Sequence, residues 1–360
     1  MKIAAPLVAW QRTQGRSGLP WQHTRDPYRV WLSEIMLQQT QVTAVIPYYQ
    51  KFLASFPDVA SLAQAPSQEV MAHWAGLGYY ARARNLHACA QRVMQDWAGN
   101  FPPDAAGLTT LPGIGPSTAA AIAAFCYGER AAILDGNVKR VLSRYFAIDG
   151  DPTTRAVEQK LWQLARDEVP SASQLRRDPM VMTAFTQGQM DLGATICTRA
   201  RPQCKICPLQ KGCLAYAQGR TDELPWPRTK KILPQRSTGM LIASHQGKLL
   251  LQRRPDTGIW GGLWSLPEFA SGLSATDSCE HLGITASKIQ SLSAFLHIFT
   301  HYRLTIEPVL AHAHSTNISA NNNLATSQTE WVGIAQLSSR GMPAPVRKLI
   351  DGLVADQLLS

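Results

Sequence analysis

The sequence predicts a multidomain protein, an all-α domain followed by an α+β domain, and three observations carry that prediction. Apolar residues over positions 1 to about 217 recur at helical spacing, with Pro and Gly at most joints. The stretch QGRTDELPWPRTKKILPQR, 218–236, holds three prolines and a run of cations, the composition of an extended linker. Beyond it the pattern changes to short strand-like runs. The expected division is a helical domain over 1–217, a linker over 218–235 and a second domain over 236–360, and 360 residues suffice for two separate cores. A formal net charge of +10 favours nucleic acid or another anionic partner, though charge alone does not decide it. The start, MKIAAPLVAWQRTQGR, has an apolar patch but no long apolar core with a cleavage site. No window approaches ~20 uninterrupted apolar residues, so no membrane span is expected and a reducing, cytoplasmic setting is.

In chain order, Pro27 to Leu53 presents Trp31, Leu32, Ile35, Met36, Val42, Val45 and Ile46 as one broad apolar helical face. Further helices are expected at 67–75, 79–96, 115–126, 137–146, 154–169 and 178–195. After the linker, 239–245 and 248–252 read as strands joined at Gln246-Gly247. Strands are also expected at 291–298, 302–311 and 329–332, with a helix near 344–358. The Asn-rich piece Thr316–Asn323 reads as a loop, and no internal repeat is visible.

Three features carry chemistry. Cys197, Cys204, Cys207 and Cys213 form a C-x6-C-x2-C-x5-C cluster threaded by Arg199, Arg201, Lys205 and Lys211. Four thiols so close imply an iron–sulfur cluster or a closed zinc site. Zinc ribbons usually offer two C-x2-C pairs and only one is present; two disulfides are the bland alternative. Leu111-Pro112-Gly113-Ile114-Gly115 runs into a helix start at Pro116, where Gly113 and Gly115 permit a tight turn and the first amides face outwards as phosphate donors. Glu34 lies in VWLSEIML, and an acid among apolar neighbours is expected to hold its proton near neutral pH, unless it simply occupies the polar stripe of an amphipathic helix.

The cysteine spacing resembles the [4Fe-4S] loop of the endonuclease III superfamily. LPGIG followed by Asp135-Gly136-Asn137-Val138-Lys139-Arg140 resembles that superfamily's helix–hairpin–helix–Gly–Asp motif. WLSEIMLQQTQV at 31–42 closely resembles a segment of the MutY-type adenine DNA glycosylases, as do GLGYYARARNL at 76–86, Leu19-Pro20-Trp21 and Met190-Asp191-Leu192-Gly193. The resemblance implies a DNA glycosylase that removes adenine mispaired with 8-oxoguanine or guanine, and a partner that is double-stranded DNA. It implies that Glu34 protonates adenine N7 and later handles the attacking water. Asp135 then stabilises or transiently attacks the oxocarbenium-like sugar, and Asn137 holds both. Gln38 belongs to the same DNA-facing motif. Gln39 and Tyr79 match residues that wedge into the duplex; Arg16, Trp21 and Gln187 match the adenine pocket. Without the resemblance, Trp21 and Tyr79 would read as ordinary core.

Ser117 stands where endonuclease III-type enzymes place the imine-forming lysine, so a monofunctional glycosylase is expected. Lys139 could trap a sugar aldehyde incidentally but does not occupy that position. Pro116 departs from the family's usual arginine. The second half resembles the Nudix-like domain of the same enzymes through Arg253-Arg254-Pro255 and Gly258–Glu268. No run of glutamates follows to hold Mg2+, so pyrophosphatase activity is not expected. A loop resembling the family's 8-oxoguanine reader is Phe299-Thr300-His301, with threonine where serine is commoner. A monomer working on the nucleoid is expected. The competing readings are a bifunctional endonuclease III-like enzyme and a non-catalytic iron–sulfur DNA-binding protein.

Overall fold

In a computed structural model, the structure describes residues 2–228, 232–316 and 329–359. Two compact units result, one of Met1–Gln64 with Asn85–Lys230, the other of Ala65–Arg84 with Lys231–Ser360. The Asn-rich piece read as a loop falls, past Thr316, outside the described residues.

The helices of the first unit are α1 (Ala4–Gln14), α2 (Pro27–Leu37), α3 (Val42–Ser55) and α4 (Val59–Gln64). In the second unit lies α5 (Ser67–Trp74), and the first resumes with α6 (Ala81–Trp97), most of which belongs to it. It continues through α7 (Ala105–Leu108), α8 (Pro116–Tyr127), α9 (Gly136–Tyr145), α10 (Arg155–Glu168), α11 (Ala172–Arg177), α12 (Val181–Asp191) and α13 (Leu214–Ala217). Capping explains where the important ones start. Asp26 accepts from the Tyr28 N–H with Pro27 just inside α2, and Asp135 accepts from the Val138 N–H at the head of α9. Helix α8 is almost wholly buried from Ala119 to Ala124 and ends on Gly128 at φ 70°. Around it one core joins α1, α9, α10 and α12.

Sequence periodicity predicted one helix over 27–53, but the chain breaks between Leu37 and Val42. Gln39 adopts φ 56° there, and the helices on both sides still present apolar residues, so the periodicity hides the break. Helix α1, visible in the sequence only as an apolar patch, buries Leu7 and Trp10. Helix α12 runs on into a π turn, Leu192–Ile196.

Among the described residues the second unit is built on one mixed sheet of eight strands: β1 (Gln235–His245), β2 (Lys248–Arg253), β3 (Trp264–Ser265), β4 (Glu268–Ala270), β5 (Ile284–Ser291), β6 (Phe295–Ile298), β7 (Arg303–Thr316) and β8 (Thr329–Gly333). Strand β1 pairs in parallel with β7, and the remaining pairs are antiparallel. The expected strand at 291–298 is two strands, β5 and β6, both laid on β7. Helices α14 (Ala275–His281) and α15 (Ala344–Ala355) complete the unit, and Leu241, Ala243, Leu250 and Ala311 are central to its core.

Residues 65–84, placed in the helical domain by the sequence reading, belong by contact to the sheet-bearing unit. Tyr80 donates from its hydroxyl to the Met342 carbonyl at 3.3 Å, and Arg84 donates from Nη1 to the Gly261 carbonyl at 3.0 Å. A Cβ at Gly341 would come within 3.0 Å of the Met71–Ala72 backbone. Contacts to backbone carbonyls so distant in sequence leave no mark in local patterning. No described helix is long and apolar enough to cross a membrane.

Candidate active site

Glu34 sits in the last turns of α2, between Ser33 and Ile35, which are both buried. Its carboxyl lines a cavity of about 420 Å³ shared with Arg16, Trp21 and Gln187, a size common for small-molecule sites. No described residue hydrogen-bonds that carboxyl. Burial, and then repulsion from Asp135, pushes its pKa up to about 8. The surface-stripe alternative for Glu34 is thereby removed.

Asp135 is more evenly balanced. Burial raises its pKa from the ordinary value, but bonds to the charged form oppose the shift. Oδ1 accepts from the Val138 N–H at 2.8 Å and Oδ2 from Asn137 Nδ2 at 3.2 Å. The positive end of α9 adds to this, because Asp135 is its N-cap. Arg140 fixes Asn137 in turn, donating from Nη2 to Asn137 Oδ1 at 2.8 Å and to the Gly193 carbonyl at 2.6 Å. Any Cβ at Gly193 would lie 2.5 Å from Asn137 Cβ, so only glycine lets the π turn approach this closely.

The pocket residues converge on a group that sequence reading did not single out. Asp191 is fully buried and accepts from the Arg16 N–H at 3.0 Å, Arg16 Nε at 2.7 Å and Gln187 Nε2 at 2.9 Å. It thereby sets the orientation of two predicted pocket side chains. The only sequence signal was its place in the quoted MDLG segment. Trp21 is buried edge-on against Tyr49, with ring centroids 5.4 Å apart.

The hairpin residues behave as the turn chemistry requires. Gly113 has φ 77°, and a Cβ there would meet Asn85 Cβ at 2.8 Å. Gly115 caps α8 with Pro116 as its first residue. The Ser117 hydroxyl accepts from the Leu134 N–H at 3.0 Å, bracing the segment that delivers Asp135. Gln38 donates from Nε2 to Thr118 Oγ1 at 3.4 Å, and Lys139 Nζ pairs with Glu158 at 2.6 Å. Gln39 is exposed, at φ 56°; Tyr79, in the other unit, is 46% exposed at φ 49°. Exposed side chains on left-handed backbone are held there against a local cost of ~1–3 kcal/mol, and such residues cluster at functional sites.

All seven cysteines are free, which removes the disulfide reading. Cys197, Cys204, Cys207 and Cys213 line one small apolar pocket together with Val141, Tyr145 and Leu209. Among the described residues, no three His, Cys, Asp or Glu side chains are placed to share one metal ion. Arg144, buried, donates from Nη1 to Cys197 Sγ at 3.3 Å and to the Thr198 carbonyl at 2.7 Å, tying the loop to α9. Arg199, Arg201, Lys205 and Lys211 face solvent around it.

Two family descriptions match the chain: HhH-GPD superfamily base excision DNA repair protein over residues 32–167, and NUDIX domain over 238–352. The adenine DNA glycosylase of Buchnera aphidicola subsp. Acyrthosiphon pisum (strain APS) is 35% identical over 96% of this chain and 95% of its own length. The chain belongs to the adenine DNA glycosylases. That of Mus musculus is 34% identical, covering 84% of this chain and 68% of its own. Among solved structures, a thermostable thymine-DNA glycosylase is 30% identical, with a TM-score of 0.52 over 60% of this chain and 95% of that one.

In this adenine DNA glycosylase the second unit carries Phe299, Thr300 and His301 at the tip of the β6–β7 hairpin, closed by Phe299 N–H donating to the Tyr302 carbonyl at 2.9 Å. Phe299 packs against Trp260, His297 and Tyr302, while Thr300 and His301 are exposed above this aromatic base. Arg254 lies over Trp260 and Arg236 over Tyr302.

The raised Glu34 pKa has a stability consequence. The folded state holds a proton that the unfolded chain releases near pH 4.5, so stability falls as pH rises from there through about 8. Glu34→Gln, which cannot ionise, is therefore expected to be more stable than the parent at pH 8–9, by on the order of a few kcal/mol, and to match it near pH 4. Thermal melts at the two pH values measure this, and an equal difference at both would remove the assigned pKa.

Proposed function

We propose that this adenine DNA glycosylase excises adenine opposite 8-oxoguanine or guanine in duplex DNA, hydrolysing the N-glycosidic bond and leaving the strand intact. The observation that carries the reading is the pairing of two unlike carboxyls. Glu34 is half-buried, unbonded and protonated near neutral pH, whereas Asp135 is held by donors that favour its anion. A proton delivered by Glu34 to adenine N7 makes the base a better leaving group. The Asp135 carboxylate meets the positive charge that develops on the sugar, and Glu34, once ionised, activates water. Asn137, oriented by Arg140, keeps Asp135 aimed. The base has to leave the stack to reach the cavity, and the exposed Gln39 and Tyr79 supply the wedges. Arg16, Trp21 and Gln187 receive the adenine, and the outward amides after Gly113 and Gly115 hold phosphates.

Ser117 carries no amine, and its hydroxyl is engaged by Leu134, which supports glycosylase action without strand cleavage. The four cysteines are the ligands of a [4Fe-4S] cluster. A cubane takes one thiolate on each of four irons, so its ligands line a pocket without converging on a single ion, and the donor set here fits that requirement. When bound, the cluster supplies a cross-link for the basic loop. Thr300 and His301 read the base opposite adenine. The enzyme acts as a monomer on chromosomal DNA inside the cell.

Single-turnover excision on an A·8-oxoguanine duplex tests the chemistry. Glu34→Gln and Asp135→Asn are each expected to lose roughly 10²–10⁴-fold in rate while still binding DNA. Wild-type rate should fall as pH rises through about 8, where Glu34 gives up its proton, and on the acid side as Asp135 is neutralised. Normal excision by either variant removes the role assigned to that residue. His301→Ala should leave excision opposite guanine intact and narrow the preference for 8-oxoguanine by roughly 5- to 100-fold, the scale of one lost polar base contact; an unchanged ratio assigns orphan-base reading elsewhere. Purified protein should be brown and carry four irons per chain, a count following from the cubane stoichiometry of about four. Stoichiometric zinc in active, colourless protein refutes the cluster.

A further inference from the structure

We infer that Glu158 is a specificity-determining residue that withholds Lys139 from the abasic sugar, and so keeps a glycosylase from becoming a lyase. This rests on the proposed reading of Asp135 as the group facing the sugar. Lys139 follows Asp135 by four residues at the start of α9, which sets the two on one helix face. Its amine is the nearest primary amine in sequence to the carboxylate that meets the sugar. After base loss the sugar opens to an aldehyde. A neutral amine adding to C1′ expels water and forms an imine, from which loss of the 2′ proton eliminates the 3′ phosphate. An ammonium has no electron pair for that addition. In the structure Lys139 Nζ is not free: it lies 2.6 Å from Glu158 Oε1, on the first turns of α10, and is only 20% exposed. The contact draws the amine towards α10 and occupies it with a carboxylate. Serine at 117 removes one nucleophile, and Glu158 restrains the second.

A duplex carrying a preformed abasic site tests this without relying on adenine excision. Enzyme is incubated with that duplex and borohydride, and covalent complex is measured alongside strand cleavage. Glu158→Gln should raise the trapped yield by roughly two- to fivefold, the shift expected from releasing a partly exposed ion pair, with the adduct mapped to Lys139 and lost in Glu158→Gln/Lys139→Gln. Adenine excision measured in parallel should equal that of wild type, and loss of excision by wild type itself would count against the proposed function alone. An unchanged trapped yield, or an adduct on another residue, overturns the inference.

Discussion

The structure depends on one unfavourable arrangement: an unbonded carboxyl, Glu34, half-buried and desolvated beside a second carboxyl. Left ionised, such a pair would cost the fold several kcal/mol, so the group keeps its proton instead. That neutralisation lets α2 pack Trp31, Leu32 and Met36 fully into the core on either side of an acid. The acid is not an exception to the packing. It is tolerated because its ionisation is suppressed, and in the proposed mechanism the suppressed ionisation is its chemical use.

Burial also raises the Asp135 pKa, but its hydrogen bonds and Arg140 oppose that shift. The N-terminus of α9, the Asn137 amide and the Arg140 guanidinium all favour its charged form. Two carboxyls close enough to repel are thereby given unlike surroundings by their own elements. The asymmetry demands accurate placement, and small residues provide it. Gly193 admits Asn137 to the π turn, and Gly113 admits Asn85 to the hairpin. Arg140 and Arg144 then bind α9 to the cysteine loop through the Cys197 carbonyl and sulfur. A perturbation of that loop is thus one helix away from the carboxylate.

The residues proposed as wedges and as pocket walls are held in two different ways. Gln39 and Tyr79 are exposed on strained backbone, whereas Arg16 and Gln187 are tethered by the buried Asp191. Tethered pocket walls and protruding side chains suit the proposed extrusion of a base. The second unit repeats the device with its exposed Thr300 and His301 on an aromatic platform.

Local chemistry was legible in the sequence. The apolar setting of Glu34, the glycine turn into α8 and the spacing of four cysteines are properties of neighbours along the chain, as were most helices and the change to strands after the linker. The break between α2 and α3 was not legible, since no Gly or Pro marks it and periodicity persists across it. Nor was the role of Asp191, whose partners Arg16 and Gln187 reach it from different elements. The membership of 65–84 in the sheet-bearing unit was equally hidden, being decided by contacts to Gly261, Gly341 and Met342. Sequence determined which groups this protein brings to its site; tertiary structure decided their protonation and aim. Burial and long-range hydrogen bonds set those quantities, and neither is a property of residues adjacent in the chain.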